Sequence, residues 1–269
     1  GFGGKGVYLD LKDSIEKYGL KVIQAKYGNL FEMYERIVGE DPTKVPMKIY
    51  PAPHYTMGGL WVDYNLMSNI SGLFILGEAN YSVHGANRLG ANALLQCLCD
   101  GYFISPKTIT SYLANNKEID NRKIDDACKE ALNSVQEKIQ NLLKIKGNKP
   151  VDFFHRSLGE IMISKCGISR NKKDLNLALE EIEILKKDYE SNLKLPRTNS
   201  GLNSELEKAL RVKDFIELSK LMIKDAIERE ESCGGHFREE YQTKEGEAKR
   251  NDDLFSHIAI WKFNSEYNS

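Results

Sequence analysis

The hydrophobic periodicity of this chain changes once, near Glu118, and that change constrains the fold more than any other feature. Before it, apolar residues come in short runs cut by glycine, proline and asparagine; after it, they recur at helical spacing among Glu and Lys. In the first part GVYLD, MKIYPAP, LWVDY and GLFILGE read as strand candidates, and Ser14–Gly39 as helix broken near Tyr18-Gly19. The run Leu73–Leu76 suits a strand buried on both faces. In the second part Ile124–Ile145, Leu175–Tyr189 and Ser204–Glu231 read as amphipathic helices, with Pro196–Asn203 as a loop between two of them. Ser204 ahead of Glu207 suggests a capping-box start, and Leu206, Leu210, Val212, Phe215, Ile216, Leu218, Leu221, Met222 and Ile223 give that helix a broad apolar face. His257–Phe263 is a candidate terminal strand. The expected class is α+β, short strands followed by a helical domain of antiparallel hairpins.

Charge and cysteine usage narrow the function classes. The 38 Lys+Arg nearly balance the 39 Asp+Glu, so no global field steers the chain toward nucleic acid, and charged ligands must be held locally. No apolar run approaches the ~20 residues needed to cross a bilayer, which assigns any membrane association to another subunit. Cys97, Cys99, Cys128, Cys166 and Cys233 are odd in number and scattered, which fits a reducing, cytoplasmic compartment better than a disulfide framework. The opening GFGGKGVYLD carries neither initiator Met nor signal-peptide pattern and reads as a start inside a larger protein.

Three motifs carry chemistry. In PAPHYTMGG, His54 lies in a Pro/Gly-rich loop, a setting where most histidines are structural. The Gly58-Gly59 pair after it allows close approach to a planar ligand or to another chain segment. In GLFILGEAN an apolar strand candidate ends at Gly77, and Glu78 follows, where a carboxylate can accept hydrogen bonds from a nucleotide ribose or simply close a turn. In HGANRLGANALLQCL small residues bracket Arg88, and Asn92–Cys99 reads as a helix. Arg88 offers a planar fork for a carboxylate, or caps its own loop through carbonyl oxygens. The helix start offers N–H groups with about half a positive charge.

These motifs, in this order, resemble the later part of a succinate dehydrogenase/fumarate reductase flavoprotein subunit. The resemblance continues through ESCGGHFREE and EAKRNDDLFSHIAIW. It implies that His54 and Arg88 bind the carboxylates of a succinate or fumarate substrate. It implies that Gly58, Gly59 and Glu78 contact FAD, with Ala93 and Leu94 facing the flavin through backbone; Ala93 stands where that family commonly has Ser. It implies an iron–sulfur partner subunit and, through it, a membrane anchor at the inner face of the cytoplasmic membrane. It divides the chain into the end of a capping domain (1–48), a returning segment of the FAD-binding domain (49–118) and a C-terminal helical domain (119–269).

The family's glycine-rich dinucleotide fingerprint, its flavin-linking His and its proton-relaying Arg have no counterpart here, so no catalytic residue is assigned. GFGGKG precedes a strand candidate rather than following one. The expectation is a C-terminal piece that neither retains FAD nor turns over alone. L-aspartate oxidase is the enzymatic alternative, although RLGANALLQ fits the succinate/fumarate branch better. A helical interaction module is the non-enzymatic alternative. Cys233 and His236, with C-x-x-H spacing, read as half a metal site by accident, so no metal ligand is assigned. His236 and Arg238 read as packing residues, Cys97 and Cys99 as facing apart, and the Lys/Glu-rich Asp174–Lys194 as a solvated face or, less simply, a docking face.

Overall fold

The computed structural model describes residues 6–50, 52, 54–81, 84–116, 121–196 and 201–264. The chain divides into two compact units, residues 1–56 and 57–269. It mixes helices with short strands, as the switch in periodicity predicts.

In the first unit, β1 (Val7–Leu9) is followed by α1 (Lys12–Tyr18), α2 (Leu20–Val38) and β2 (Met47–Ile49), and β2 runs antiparallel to β1. The predicted helix break falls at Gly19, whose N–H closes α1 on the Ile15 carbonyl. Ile23 and Phe31 lie on one side of α2 and bury against Met47 of β2, with Leu11, Ile15 and Tyr34 around them. The Tyr34 hydroxyl accepts the Lys48 N–H at 2.9 Å, which fixes the helix to the edge of the strand.

The second unit opens with irregular chain where the sequence suggested strands. LWVDY contributes one bridge, Leu60 beside Asn80, and GLFILGE another, Phe74 beside Met67. Leu73–Leu76 is not a strand buried on both faces: Ile75 is buried, whereas Leu73 is 44% exposed. Ile75 donates to Leu66 and Ser68 to Leu73, so this stretch folds back on the chain just before it as a narrow turn. A run of β-formers becomes a central strand only when strands flank it, and among the described residues none does. A single 3₁₀ turn, Gly77–Ala79, follows.

Next come α3 (Asn92–Cys99), a π-helical turn over Asp100–Ile104, and α4 (Ser105–Asn115). The remainder is α5 (Asn121–Lys144), β3 (Lys149–Pro150), α6 (Val151–Lys165), β4 (Ser169–Arg170), α7 (Lys172–Asn192), β5 (Leu193–Lys194), α8 (Ser204–Glu228), β6 (Phe237–Arg238) and α9 (Asp252–Phe255). The main core lies among α6, α7 and α8, where Phe154, Leu175, Ile182, Ile216 and Ile223 are almost fully enclosed. Tyr189 packs edge-on to Phe154 and donates to the Ala209 carbonyl at 2.7 Å, joining three helices.

Three further expectations are corrected. The N-cap of α8 is Asn203, whose side chain accepts the Leu206 N–H, and not Ser204. The helix ends at Glu228 rather than Glu231 and buries only Ala209, Val212, Ile216, Ser219, Ile223 and Ala226. That 3–4–3–4–3 stripe leaves Phe215, Leu218, Leu221 and Met222 outside, so the broad apolar face is half exposed. His257–Phe263 is not a strand; the segment after α9 is irregular and exposed through Phe263, and no strand pairs with it among the described residues.

Candidate functional site

Helix α3 organises the chemistry-bearing motifs of the second unit. From its inner side Gln96 reaches the chain ahead of it: Nε2 donates to the Asn80 side chain at 3.0 Å, and Oε1 is 2.8 Å from His84 Nε2. One turn on, Asp100 is 5% exposed, and its Oδ2 accepts the Gly77 N–H at 2.9 Å and Asn80 Nδ2 at 3.3 Å. Asp100 lies four residues after Gln96 and so on the same face, at the point where α3 passes into the π-turn. These bonds tie both GLFILGEAN and the start of HGANRLG to one helix. The sequence reading missed Asn80, His84, Gln96 and Asp100. Their available signal was Gln96 and Asp100 at i,i+4, one polar stripe on a helix otherwise rich in Leu.

The glycine pair has two different reasons. Gly59 passes so close to the turn that a Cβ there would lie 2.5 Å from the Ala79 carbonyl oxygen, while Leu60 exchanges hydrogen bonds with Ala79 and Tyr81. Its close approach is therefore to chain, the second of the two alternatives. Gly58 is half-buried and has open space where its Cβ would be. Glu78 is exposed at the middle of the 3₁₀ turn.

Arg88 is half-buried, and its Nη1 donates to the Leu89 carbonyl at 3.1 Å, so the loop-capping contact is present. A guanidinium carries five N–H groups, so this bond and a grip on a carboxylate do not compete. Ala91, at φ +64°, turns the chain into α3, an uncommon conformation for a residue with a Cβ. The N-cap residue, Ala91, has no side-chain acceptor to cap the helix start. The Asn92 N–H turns back to the Leu89 carbonyl at 3.3 Å, and the N–H groups of Ala93 and Leu94 at the same helix start carry the partial positive charge that favours an electron-rich group, so the residues present fit the flavin edge the resemblance implies.

The HGANRLG loop is also held from the helical half. Gly234, at φ +59°, lies against Ala86 so tightly that a Cβ there would meet its carbonyl oxygen at 2.0 Å, and the Gly235 N–H points to the same oxygen at 3.4 Å. His54 belongs to the first unit, where it is exposed. His236 and Arg238 have packing partners throughout. Arg238 is 1% exposed and donates to the Ala226 and Ile227 carbonyls at the end of α8. Among the described residues no group of His, Cys, Asp and Glu is arranged to hold a metal ion.

Comparison with known proteins gives this arrangement its context. A family model for the fumarate reductase flavoprotein C-terminal region matches residues 155–269, and one for an FAD-binding domain matches residues 2–94. The succinate dehydrogenase flavoprotein subunit of Bacillus subtilis is 33% identical over 98% of the chain. This chain belongs to the succinate dehydrogenase/fumarate reductase flavoprotein family. The fumarate reductase flavoprotein subunit of Haemophilus influenzae is 28% identical over 89% of the chain. Escherichia coli quinol fumarate reductase superimposes with a TM-score of 0.80 at 27% identity, covering 93% of this chain and 40% of that one. An adenosine-5-phosphosulfate reductase shares the fold alone, with a TM-score of 0.61 at 17% identity. Members of the family are FAD-linked oxidoreductases. The chain spans about two fifths of the length of these curated relatives, 43% and 38% of the first two. Among the described residues no helix is long and apolar enough to cross a membrane.

Proposed function

We propose that this chain supplies the dicarboxylate-anchoring and flavin-facing wall of an enzyme that interconverts succinate and fumarate and passes electrons to an iron–sulfur subunit. The observation that supports this most is the start of α3 directly behind the Arg88 loop, with an alanine at its N-cap. A loop fixed by Gln96 and His84 on one side and by Gly234 on the other can present a cation in one place, and that suits orientation of a small anion. Arg88 takes one carboxylate of the substrate and His54 the other; the pairing comes from the family resemblance. Glu78 accepts hydrogen bonds from the FAD ribose, Gly58 lets the chain pass close to the cofactor while Gly59 seats the same stretch against the Ala79 turn, and Ala93 and Leu94 offer backbone N–H groups to the ring. FAD, when bound, takes up or returns the hydride. The chain's residues hold the dicarboxylate still and present partial positive charge where the reduced ring gathers electrons.

The division at residues 48 and 118 belongs to the same proposal, as does a peripheral position at the inner face of the cytoplasmic membrane reached through the partner subunits. Residues 1–269 alone lack the glycine-rich fingerprint and are expected to bind no FAD and to be inactive, so the test uses the full-length flavoprotein. There Arg88→Ala should leave the flavin band, near ~450 nm, intact. The spectral response to malonate should disappear, and turnover should fall by roughly two to three orders of magnitude, as expected for a lost charge-assisted anchor. Near-normal turnover in a flavin-loaded Arg88→Ala protein would refute the assignment.

A further inference from the structure

The turn from Cys233 to His236 is more firmly built than a surface loop needs to be. Cys233 and His236 exchange backbone hydrogen bonds at 2.8 and 3.1 Å. At its root Ser232 is fully buried; its hydroxyl donates to the Arg238 carbonyl at 3.1 Å, and the Arg238 N–H donates to that hydroxyl at 2.8 Å. The His236 ring bridges two other elements. Arg170 of β4 can only donate, so His236 Nδ1 accepts from its Nη1 at 3.1 Å, which leaves the proton on Nε2 for the Arg229 carbonyl at 2.9 Å. Arg170 is itself anchored through Nε to the Gly167 carbonyl at 2.7 Å. What this turn touches is the Ala86 carbonyl, two residues before Arg88.

We propose that His236 is a positioning residue for Arg88. By bridging Arg170 and the Arg229 carbonyl, its ring fixes the Cys233–His236 turn, which sets the Ala86 peptide and through it the direction from which the Arg88 guanidinium meets a carboxylate. This rests on Arg88 being a carboxylate anchor. His236 touches neither substrate nor flavin in this account; it acts through Gly234, Gly235 and Ala86. A displacement of about 1 Å at an oriented group costs up to ~100-fold in rate, so a loosened turn is felt at the substrate before it is felt in the fold.

The test uses the full-length flavoprotein in its complex and reads the Kd of malonate from the flavin difference spectrum, together with flavin content, KM and kcat. His236→Leu removes both ring contacts, and Gly234→Ala drives a methyl group into the Ala86 carbonyl from the same side. Both are expected to raise Kd and KM roughly tenfold or more at unchanged flavin content. His236→Gln keeps one acceptor and one donor and is expected to recover most of the affinity. Packing alone would instead lower flavin content and melting temperature and leave Kd per bound flavin at the wild-type value. A flavin-loaded His236→Leu protein with wild-type Kd, or a Gln variant no better than Leu, overturns the proposal. Should the Leu variant fail to fold, wild-type Kd in Gly234→Ala overturns it. Arg88→Ala separates the two claims: if it too leaves Kd unchanged, the anchor assignment has failed, and if only it abolishes binding, the positioning role alone has failed.

Discussion

Replacing Arg238 by Met should cost this chain more stability than almost any other single loss of charge. The guanidinium is 1% exposed; its Nη1 bonds the Ala226 carbonyl at 2.7 Å and the Ile227 carbonyl at 3.2 Å, and its Nε bonds Glu240 at 3.1 Å. Met keeps most of the stem volume, so the loss is polar rather than a cavity. Two carbonyls in the last turn of α8 lose their cap, at roughly 1–3 kcal/mol for each buried acceptor left unmet. Glu240 is 39% exposed, so its pair adds no more than about 1 kcal/mol. A total near 3–4 kcal/mol corresponds to a fall in Tm of roughly 6–16 °C for a chain of this size. Helical ellipticity followed against urea and temperature measures it. Arg250→Met is the control, because Arg250 and its partner Asp252 are both exposed and the change should leave the urea midpoint close to the wild-type value. A loss below about 1 kcal/mol for Arg238→Met would refute the capping account, since water would then be replacing the guanidinium.

Two other expectations concern stability. Gly28 lies inside α2 with nothing within 4 Å of where a Cβ would be, so Gly28→Ala should stabilise the first unit by about 0.5–1 kcal/mol; an unchanged or lower urea midpoint counts against that helix. His236 is held below the usual histidine range, first by its burial and then by the Arg170, Arg238 and Arg229 charges, against which its bond to the Arg229 carbonyl works in the opposite direction. The unfolded chain therefore binds a proton near pH ~6.5 that the folded chain resists, so the contribution is intact above that pH and declines as pH falls below it, down to the folded pKa. Asp188, held low by Lys149 and Asn192, loses its contribution only below the unfolded carboxylate range, about pH 4. Urea midpoints at about pH 7.5 and 5.5 should thus differ less in His236→Gln than in the wild type, and an equal difference would show that this ring does not titrate as described.

The sequence was most legible where local and tertiary signals agree. The helices α7 and α8 carry their own periodicity and bury the face it marks, while the Tyr18-Gly19 break and the run Asn92–Cys99 were legible from local signals alone, since α1 and α3 bury no residue fully. Helix α6 escaped because Val151, Phe154 and Leu158 form only a short buried stripe, interrupted by Gly159 and started at Pro150 with no side-chain cap. The strand candidates LWVDY, Leu73–Leu76 and His257–Phe263 failed for the converse reason. Their residues favour β structure, but a strand is defined by its neighbours, and the hydrogen-bonding edges needed are not supplied by the described chain. At the α8 start the acceptor could be read one residue late because Asn203 and Ser204 both cap well and only geometry chooses between them.

The candidate site shows the same division between what a pattern encodes and what only packing decides. Arg88 and the small residues around it suggest the proposed anion site in sequence because their chemistry is local. The groups that aim the loop carry no such announcement. Gln96 and Asp100 look like polar residues on a helix, and Gly234 like one more glycine in a turn, until their partners at Asn80, Gly77 and Ala86 are seen. Both close approaches are made by glycine backbone, Gly59 against the Ala79–Asn80 turn and Gly234 against Ala86, and in each a methyl group would overlap a carbonyl oxygen. Backbone-to-backbone contact leaves no side-chain rotamer to relax, so these joints are stiffer than any salt bridge on the surface. A loop that must hold one cation at a fixed place is better served by such joints than by more charge, because added charge would draw an anion without orienting it.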